Sequence, residues 1–306
     1  VVTSSPDPAA NDAAGSGFSN RQDFGHLTKV GSRVPSSSTT TRIPSILGLS
    51  LVCFVAIASI FGMILRDHLR LPHRVSESQD RLANFPKTML WAWERPEDFS
   101  FLRPNQAGVA FLARTLYLRG DELIVRPRLQ PLRLPDRVSL IATVRIETDQ
   151  SQPAAWSPTQ RSVTANAIAE LSRLPGVKAV QIDFDARQSE RQLYRELLRD
   201  VRNALDSSVP LSMTALASWC MYDDWLGDLP IDEAVPMLFR MGVDHRNVTT
   251  YLNTHKKFRS KVCQSSVGVS VDEALTNLPT HQRIYVFNPK SWSEGAVERM
   301  STEFVR

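Results

Sequence analysis

Between Thr88 and Phe287 the chain alternates short runs rich in apolar residues with longer polar stretches, and several of these runs keep a two-residue period. Val180-Gln181-Ile182-Asp183-Phe184-Asp185 is the clearest case. Val180, Ile182 and Phe184 need an apolar layer behind them, while Gln181, Asp183 and Asp185 must face a space that hydrates or pairs them. The same patterning marks eight strands: Thr88 to Trp93, Val109 to Leu116, Leu140 to Ile146, Ala179 to Phe184, Leu211 to Leu216, Ala234 to Phe239, Ser266 to Val271 and Arg283 to Phe287. Two crossovers carry helix signals. Ser157 as N-cap with Pro158 at the first helical position opens one, which runs to the Pro175-Gly176 stop. Ser189 with Gln192 reads as a capping box for the other, whose stripe is Leu193, Leu197, Val201 and Leu205, widened by Tyr194 and Leu198. Arg119-Gly120-Asp121 predicts a hairpin extending the second strand, and the helix after His245 is poor in apolar residues. Strands alternating with helices imply a parallel sheet, and eight of them close a barrel. The expected fold is therefore α/β, a small, partly degenerate (β/α)8 barrel over residues 85–306, which at roughly 220 residues is short for its class.

Upstream the pattern changes. Residues 43–65 (IPSILGLSLVCFVAIASIFGMIL) hold no charged side chain, and as a helix they would extend about 34 Å, enough to cross the hydrocarbon core. A transmembrane helix is expected there, with the lipid bilayer as its partner, a polar linker at 66–84 behind it, and a Ser/Thr/Pro-rich disordered tail over 1–42 ahead of it. Lys29, Arg33 and Arg42 precede the span and Arg66, Arg70 and Arg74 follow it. A short basic tail, one span and a long globular part predict a signal anchor, with the barrel outside the cytoplasm.

Composition removes several function classes. The formal charge is +4, but the arginines are spread along the chain rather than grouped, so no nucleic-acid partner is expected. A phosphate loop, a dinucleotide fingerprint and a zinc-ligand spacing are absent, and the six histidines are scattered, so neither cofactor nor metal is expected. Cys220 and Cys263 stand as one disulfide or as two buried thiols.

In a closed parallel barrel the chemistry gathers at the C-terminal ends of the strands. Those ends offer Trp91, Trp93 and Glu94, then Arg145 and Glu147, then Asp183 and Asp185, then Trp219, Arg240, Asp272-Glu273 and Trp292. Glycoside cleavage needs one acid for the leaving oxygen and a second carboxylate for the anomeric centre, and indoles stack on sugar rings. Asp183, Asp185 and Glu147 are thus the catalytic candidates, with Trp91, Trp93, Glu94, Trp219, Arg240, Asp272 and Trp292 as substrate-binding candidates and a polysaccharide as ligand. Arginines end the same strands, so Asp183 and Asp185 equally fit an ion-pair network. Asp223-Asp224 and Asp232-Glu233 read as solvated loops or helix caps.

Four phrases carry a resemblance: Trp91-Ala92-Trp93-Glu94-Arg95-Pro96-Glu97-Asp98, Val180 to Arg187, Thr214-Ala215-Leu216-Ala217-Ser218-Trp219-Cys220, and Pro236-Met237-Leu238-Phe239-Arg240-Met241-Gly242. Through them the chain from about residue 86 to 290 resembles a family of bacterial membrane-anchored proteins defined as a domain of unknown function, which implies a glycosidase-like barrel and brings no activity. More distantly, Asp183 and Asp185 are similar to the aspartates of the D-x-D-x-E motif in chitinase-like glycosidases. The donor Glu of that motif falls on Arg187, which cannot release a proton near neutrality, and Met237-Leu238-Phe239-Arg240 stands where Met-x-Tyr-Asp is common. Either Glu147 or Glu94 then supplies the acid, or the barrel binds a cell-envelope or exopolysaccharide glycan without cutting it.

Overall fold

The computed structural model describes residues 81–273 and 277–304. The tail, the span at 43–65 and the linker up to residue 80 lie outside the described residues. Among the described residues no helix is long and apolar enough to cross a membrane.

All eight expected strands form. In chain order, β1 is Thr88–Ala92, β2 Glu97–Asp98, β3 Gly108–Arg119, β4 Glu122–Pro127, β5 Leu132–Arg133, β6 Leu140–Thr148, β7 Val177–Asp183, β8 Leu211–Leu216, β9 Glu233–Met237, β10 Ser266–Ser270 and β11 Arg283–Phe287. The ring runs β1-β3-β6-β7-β8-β9-β10-β11 and returns to β1, each neighbour parallel to the next. Three of the described strands stand outside this ring. β4 folds back on β3 as the expected hairpin, with Arg119 opposite Glu122 and Gly120 at φ +49. The helix-free connection from β1 to β3 carries β2, which pairs with β5 in the connection from β4 to β6. The helical layer is thin, as α1 is Pro158–Ala169, α2 Arg191–Ala204, α3 only Ala217–Tyr222, α4 His245–His255 and α5 Glu294–Phe304.

Local sequence accounts for these elements. Ser157 Oγ accepts from Gln160 N at 3.2 Å and Pro158 fills the first turn of α1, while Gly176 at φ +77 turns the chain into β7. In α2 the buried face is Tyr194, Leu197, Leu198 and Val201. Its start departs from the expected Ser189 capping box: the chain enters through a 3-10 turn at Gln188–Glu190. The Glu190 carboxylate, which also accepts from Thr148, accepts from Arg187 N at 2.8 Å and so caps the start of that turn.

The two-residue period divides the strands between two cores. Val180, Ile182 and Phe184 join Leu90, Val109, Leu140, Val144 and Met213 beneath the helices. Met89, Trp91, Ala110, Ile141, Ala179, Val235 and Tyr285 fill the barrel interior. Leu82 closes the interior from the N-terminal side and Arg81 pairs with Asp232, so packing begins before Phe85, within the stretch expected to be linker.

The interior also holds a polar chain that strand parity alone did not reveal. Trp91 Nε1 donates to Gln181 Oε1 at 2.9 Å, Gln181 Nε2 donates to Ser212 Oγ at 3.1 Å, and Ser212 Oγ donates to Glu233 Oε1 at 3.1 Å. Glu233 is 0% exposed. It pairs with Arg283 at 3.1 Å and accepts from Tyr285. The expectation that Asp232-Glu233 is a solvated loop is therefore corrected. Strand β9 begins one residue earlier than its apolar run, at Glu233, and inward parity carries that carboxylate into the barrel. Asp232 turns to the barrel foot, accepting from Leu211 N at 2.8 Å.

Cys220 at the end of α3 is bonded to Cys263 in the turn before β10, with Cα atoms 5.9 Å apart. The disulfide alternative is the one formed.

Candidate functional site

A cavity of about 410 Å³ opens at the C-terminal end of the barrel, where function was expected to gather. Strand register builds its polar side. Arg145 and Asp183 are direct partners across β6 and β7, which brings Arg145 Nη1 to 3.0 Å from Asp183 Oδ2. Thr214, on β8, donates to Asp183 Oδ1 at 2.7 Å. Asp183 is only 4% exposed. Burial pushes its carboxyl up to about 6, with the Arg145 guanidinium pulling it down and the Asp185 charge pushing it up again.

Asp185, one strand-step on, is exposed and lines the same cavity. Loss of hydration between the cavity walls raises its carboxyl above the ordinary value, against the pull of Arg145. Among the described residues it makes no hydrogen bond or ion pair. Arg145 is shared: its Nε donates to Glu147, and its guanidinium lies over the Trp93 ring, 5.9 Å from the centroid.

The other wall is apolar. Trp91 lies at the floor, its ring centroid 5.3 Å from Tyr285 and 6.0 Å from Phe239. Phe239 stacks on Phe287, centroids 5.5 Å apart and planes 5° apart. Gly268 of β10 is what lets the indole sink so far, since a Cβ there would stand 2.8 Å from Trp91 Cη2. Leu216, Met237, Met241 and Val248 continue the wall, and Asp244, half-buried in the turn before α4, adds a second acid.

The structure thus brings Asp183, Asp185, Trp91, Trp93 and Arg240 to one cavity and leaves the other candidates off its lining. Glu147 turns to Arg145. Glu94 pairs with Arg126 on the surface. Trp219, a buried residue of α3 itself, has its ring 5.0 Å from Trp225, edge on. Trp292 donates from Nε1 to Trp91 O at 2.9 Å and tethers α5 to β1. Asp272 is held by Arg240 at 2.8 Å, in a clamp that also takes Glu273. Arg187, at the donor position of the chitinase-like motif, faces Glu190 at 3.6 Å. Sequence reasoning missed Thr214, Phe239, Phe287 and Asp244. Phe239 and Phe287 were recognisable as ends of their strands. Asp244 had no such signal, because it lies beyond a turn whose path the strand pattern does not set.

The burial of Asp183 has a measurable sign. An aspartate in the unfolded chain titrates near about 3.9, so the folded chain holds this proton more tightly. The resulting stabilisation is complete below the unfolded value and is lost as pH rises through about 6. Against Asp183→Asn, which cannot titrate, the wild-type melting temperature is expected to fall across that window and to level off above it. A difference that stays flat from pH 4 to 7 would remove the buried proton from the site.

No family model and no curated protein matches the chain, so the resemblance read from the four phrases gains no second support. Among solved structures, the crystal structure of the chitinase domain of the spore coat protein CotE from Clostridium difficile is similar over 50% of this chain and 50% of that one, with 13% sequence identity and a TM-score of 0.34. The match spans half the length of that chain.

Proposed function

We propose that this chain is a glycoside-hydrolase-like barrel that takes a glycan of the cell envelope or of an exopolysaccharide into the cavity at its C-terminal end. The observation that carries this reading is the joining of Asp183 and Asp185 to Trp91, Trp93 and Phe239 in one cavity. Carboxylates of raised pKa serve proton transfer to a leaving oxygen, and flat aromatic faces serve sugar rings. Asp185 is assigned to the substrate because it is free. Asp183 and Glu147 stand one step behind it, both on Arg145. Residues 43–65 anchor the chain in the membrane, and the barrel lies outside the cytoplasm. The Cys220–Cys263 disulfide supports that compartment, since such bonds persist where the surroundings are oxidising.

A second reading is a barrel that binds its glycan or an envelope partner without cutting. The same guanidinium favours it, because Arg145 engages two of the three candidate carboxylates. One experiment separates the two readings. The purified chain is screened against a panel of bacterial polysaccharides, scoring binding and release of reducing ends together. Release from at least one polysaccharide is the expected result, binding alone selects the second reading, and silence on both counts against every member removes the carbohydrate reading.

A further inference from the structure

The charges around the cavity do not balance. Two arginines line it, and each is already held by two carboxylates: Arg145 by Asp183 and Glu147, Arg240 by Asp272 and Glu273. Arg95 reaches the outer side of the Phe287 wall, its guanidinium 6.0 Å from the ring centroid, but it is paired with Glu97 at 2.7 Å. Asp185 and Asp244 enter the same cavity from the end of β7 and from the turn after β9. Among the described residues neither carboxylate has a hydrogen-bond or salt-bridge partner. The cavity therefore has no unclaimed cation for an anionic ligand and two unclaimed anions for a cationic one.

The aromatic walls favour the same sign of charge. Trp93, Phe239 and Phe287 line the cavity, and a cation beside an aromatic ring is attracted by its quadrupole, more strongly where water is partly excluded. With Glu147, Asp272 and Glu273 counted beside Asp183, Asp185 and Asp244, the acids outnumber Arg145 and Arg240, and a net charge of one sign raises the local concentration of ligands of the opposite sign.

We infer that the glycan this cavity takes carries free, protonated amino groups, as a de-N-acetylated hexosamine polymer does, and that uronic-acid polymers are rejected. The inference rests on the carbohydrate reading above. An ammonium group on the sugar would sit between Asp185 and Asp244 while the ring faces lie on Trp93 and Phe239. An acetamido group at the same place offers no charge to either acid, and a uronate would leave its own carboxylate facing two others.

The test compares three oligosaccharides of matched length with the purified chain at slightly acid pH: a glucosamine oligomer, its fully N-acetylated counterpart and an oligogalacturonate. The glucosamine oligomer is expected to bind roughly tenfold more tightly than the N-acetylated one at low salt, and the margin is expected to shrink as salt screens the two acids. Oligogalacturonate is expected not to bind. Asp185→Asn combined with Asp244→Asn should erase the preference between the two oligomers. Equal or tighter binding of the N-acetylated oligomer, or a preference that survives the double substitution, overturns the inference and leaves the carbohydrate reading standing. If none of the three oligosaccharides nor any polysaccharide of the panel binds, both fall. Should the double variant not fold, the salt dependence of the wild-type preference decides alone, since a margin unchanged by salt is not electrostatic.

Discussion

Glu233→Ala is expected to lower the melting temperature of the barrel by roughly 10 °C, the largest stability effect of any single substitution in the interior. Glu233 is 0% exposed and is the carboxylate that pairs with Arg283, itself 5% exposed. Removing one member of a buried ion pair strands the other charge in a medium that cannot hydrate it, at a cost of about 3–5 kcal/mol, and in a domain of this size each kcal/mol lowers the midpoint by about 2–4 °C. Ser212 and Tyr285 would lose their acceptor at the same time. Replacing both charges, Glu233→Met with Arg283→Met, should recover most of the loss, because the desolvation cost of the pair disappears with its attraction. Thermal unfolding followed by circular dichroism reads all three proteins. A single variant that melts within a degree of wild type would place Glu233 in contact with water and contradict the interior described here.

The second large effect falls on activity. Asp185→Asn should reduce release of reducing ends by about 10²–10⁴-fold, the usual worth of a positioned proton donor or acceptor, and leave the melting temperature nearly unchanged. The separation of the two effects follows from position: Asp185 is exposed and makes no hydrogen bond or ion pair among the described residues, so folding does not depend on its charge. Asp183→Asn serves as the contrast. Its partners Arg145 and Thr214 would both be disturbed, so stability and activity should fall together. If Asp185→Asn melts several degrees lower, its role is structural; if hydrolysis survives it intact, the chemistry lies elsewhere in the cavity.

The barrel was legible because its strands obey a rule visible in one dimension. Every strand of the ring buries both faces, but the two faces meet different neighbours, helices on one side and a tapered interior on the other, and Val180 to Asp185 displays that difference residue by residue. The rim was legible in part, since strand ends are fixed by the strands themselves, and Asp183, Asp185, Trp91 and Trp93 came together accordingly. Trp219 and Trp292 escaped for another reason. An indole just past a strand end turns inward to the cavity or outward under a helix according to the path of the following loop, and α3 and the turn before α5 take them under. Glu233 was misplaced because an acid beside another acid ahead of an apolar run reads as loop. Only β11, two places round the ring, with Arg283 and Tyr285 in place, makes its burial tolerable. Gly268 carried no signal at all, as its use depends on the indole of a strand two places away in the ring.

Sulfur chemistry has a mechanical bearing on recognition. The link between Cys220 and Cys263 makes a covalent hoop, and Met237, Phe239, Arg240, Met241, Asp244 and Val248 all lie on the stretch it encircles. That half of the vestibule is thus stitched to its own base before any guest arrives. Less freedom remains to be surrendered at docking, so the free energy of contact goes into affinity rather than into ordering the host.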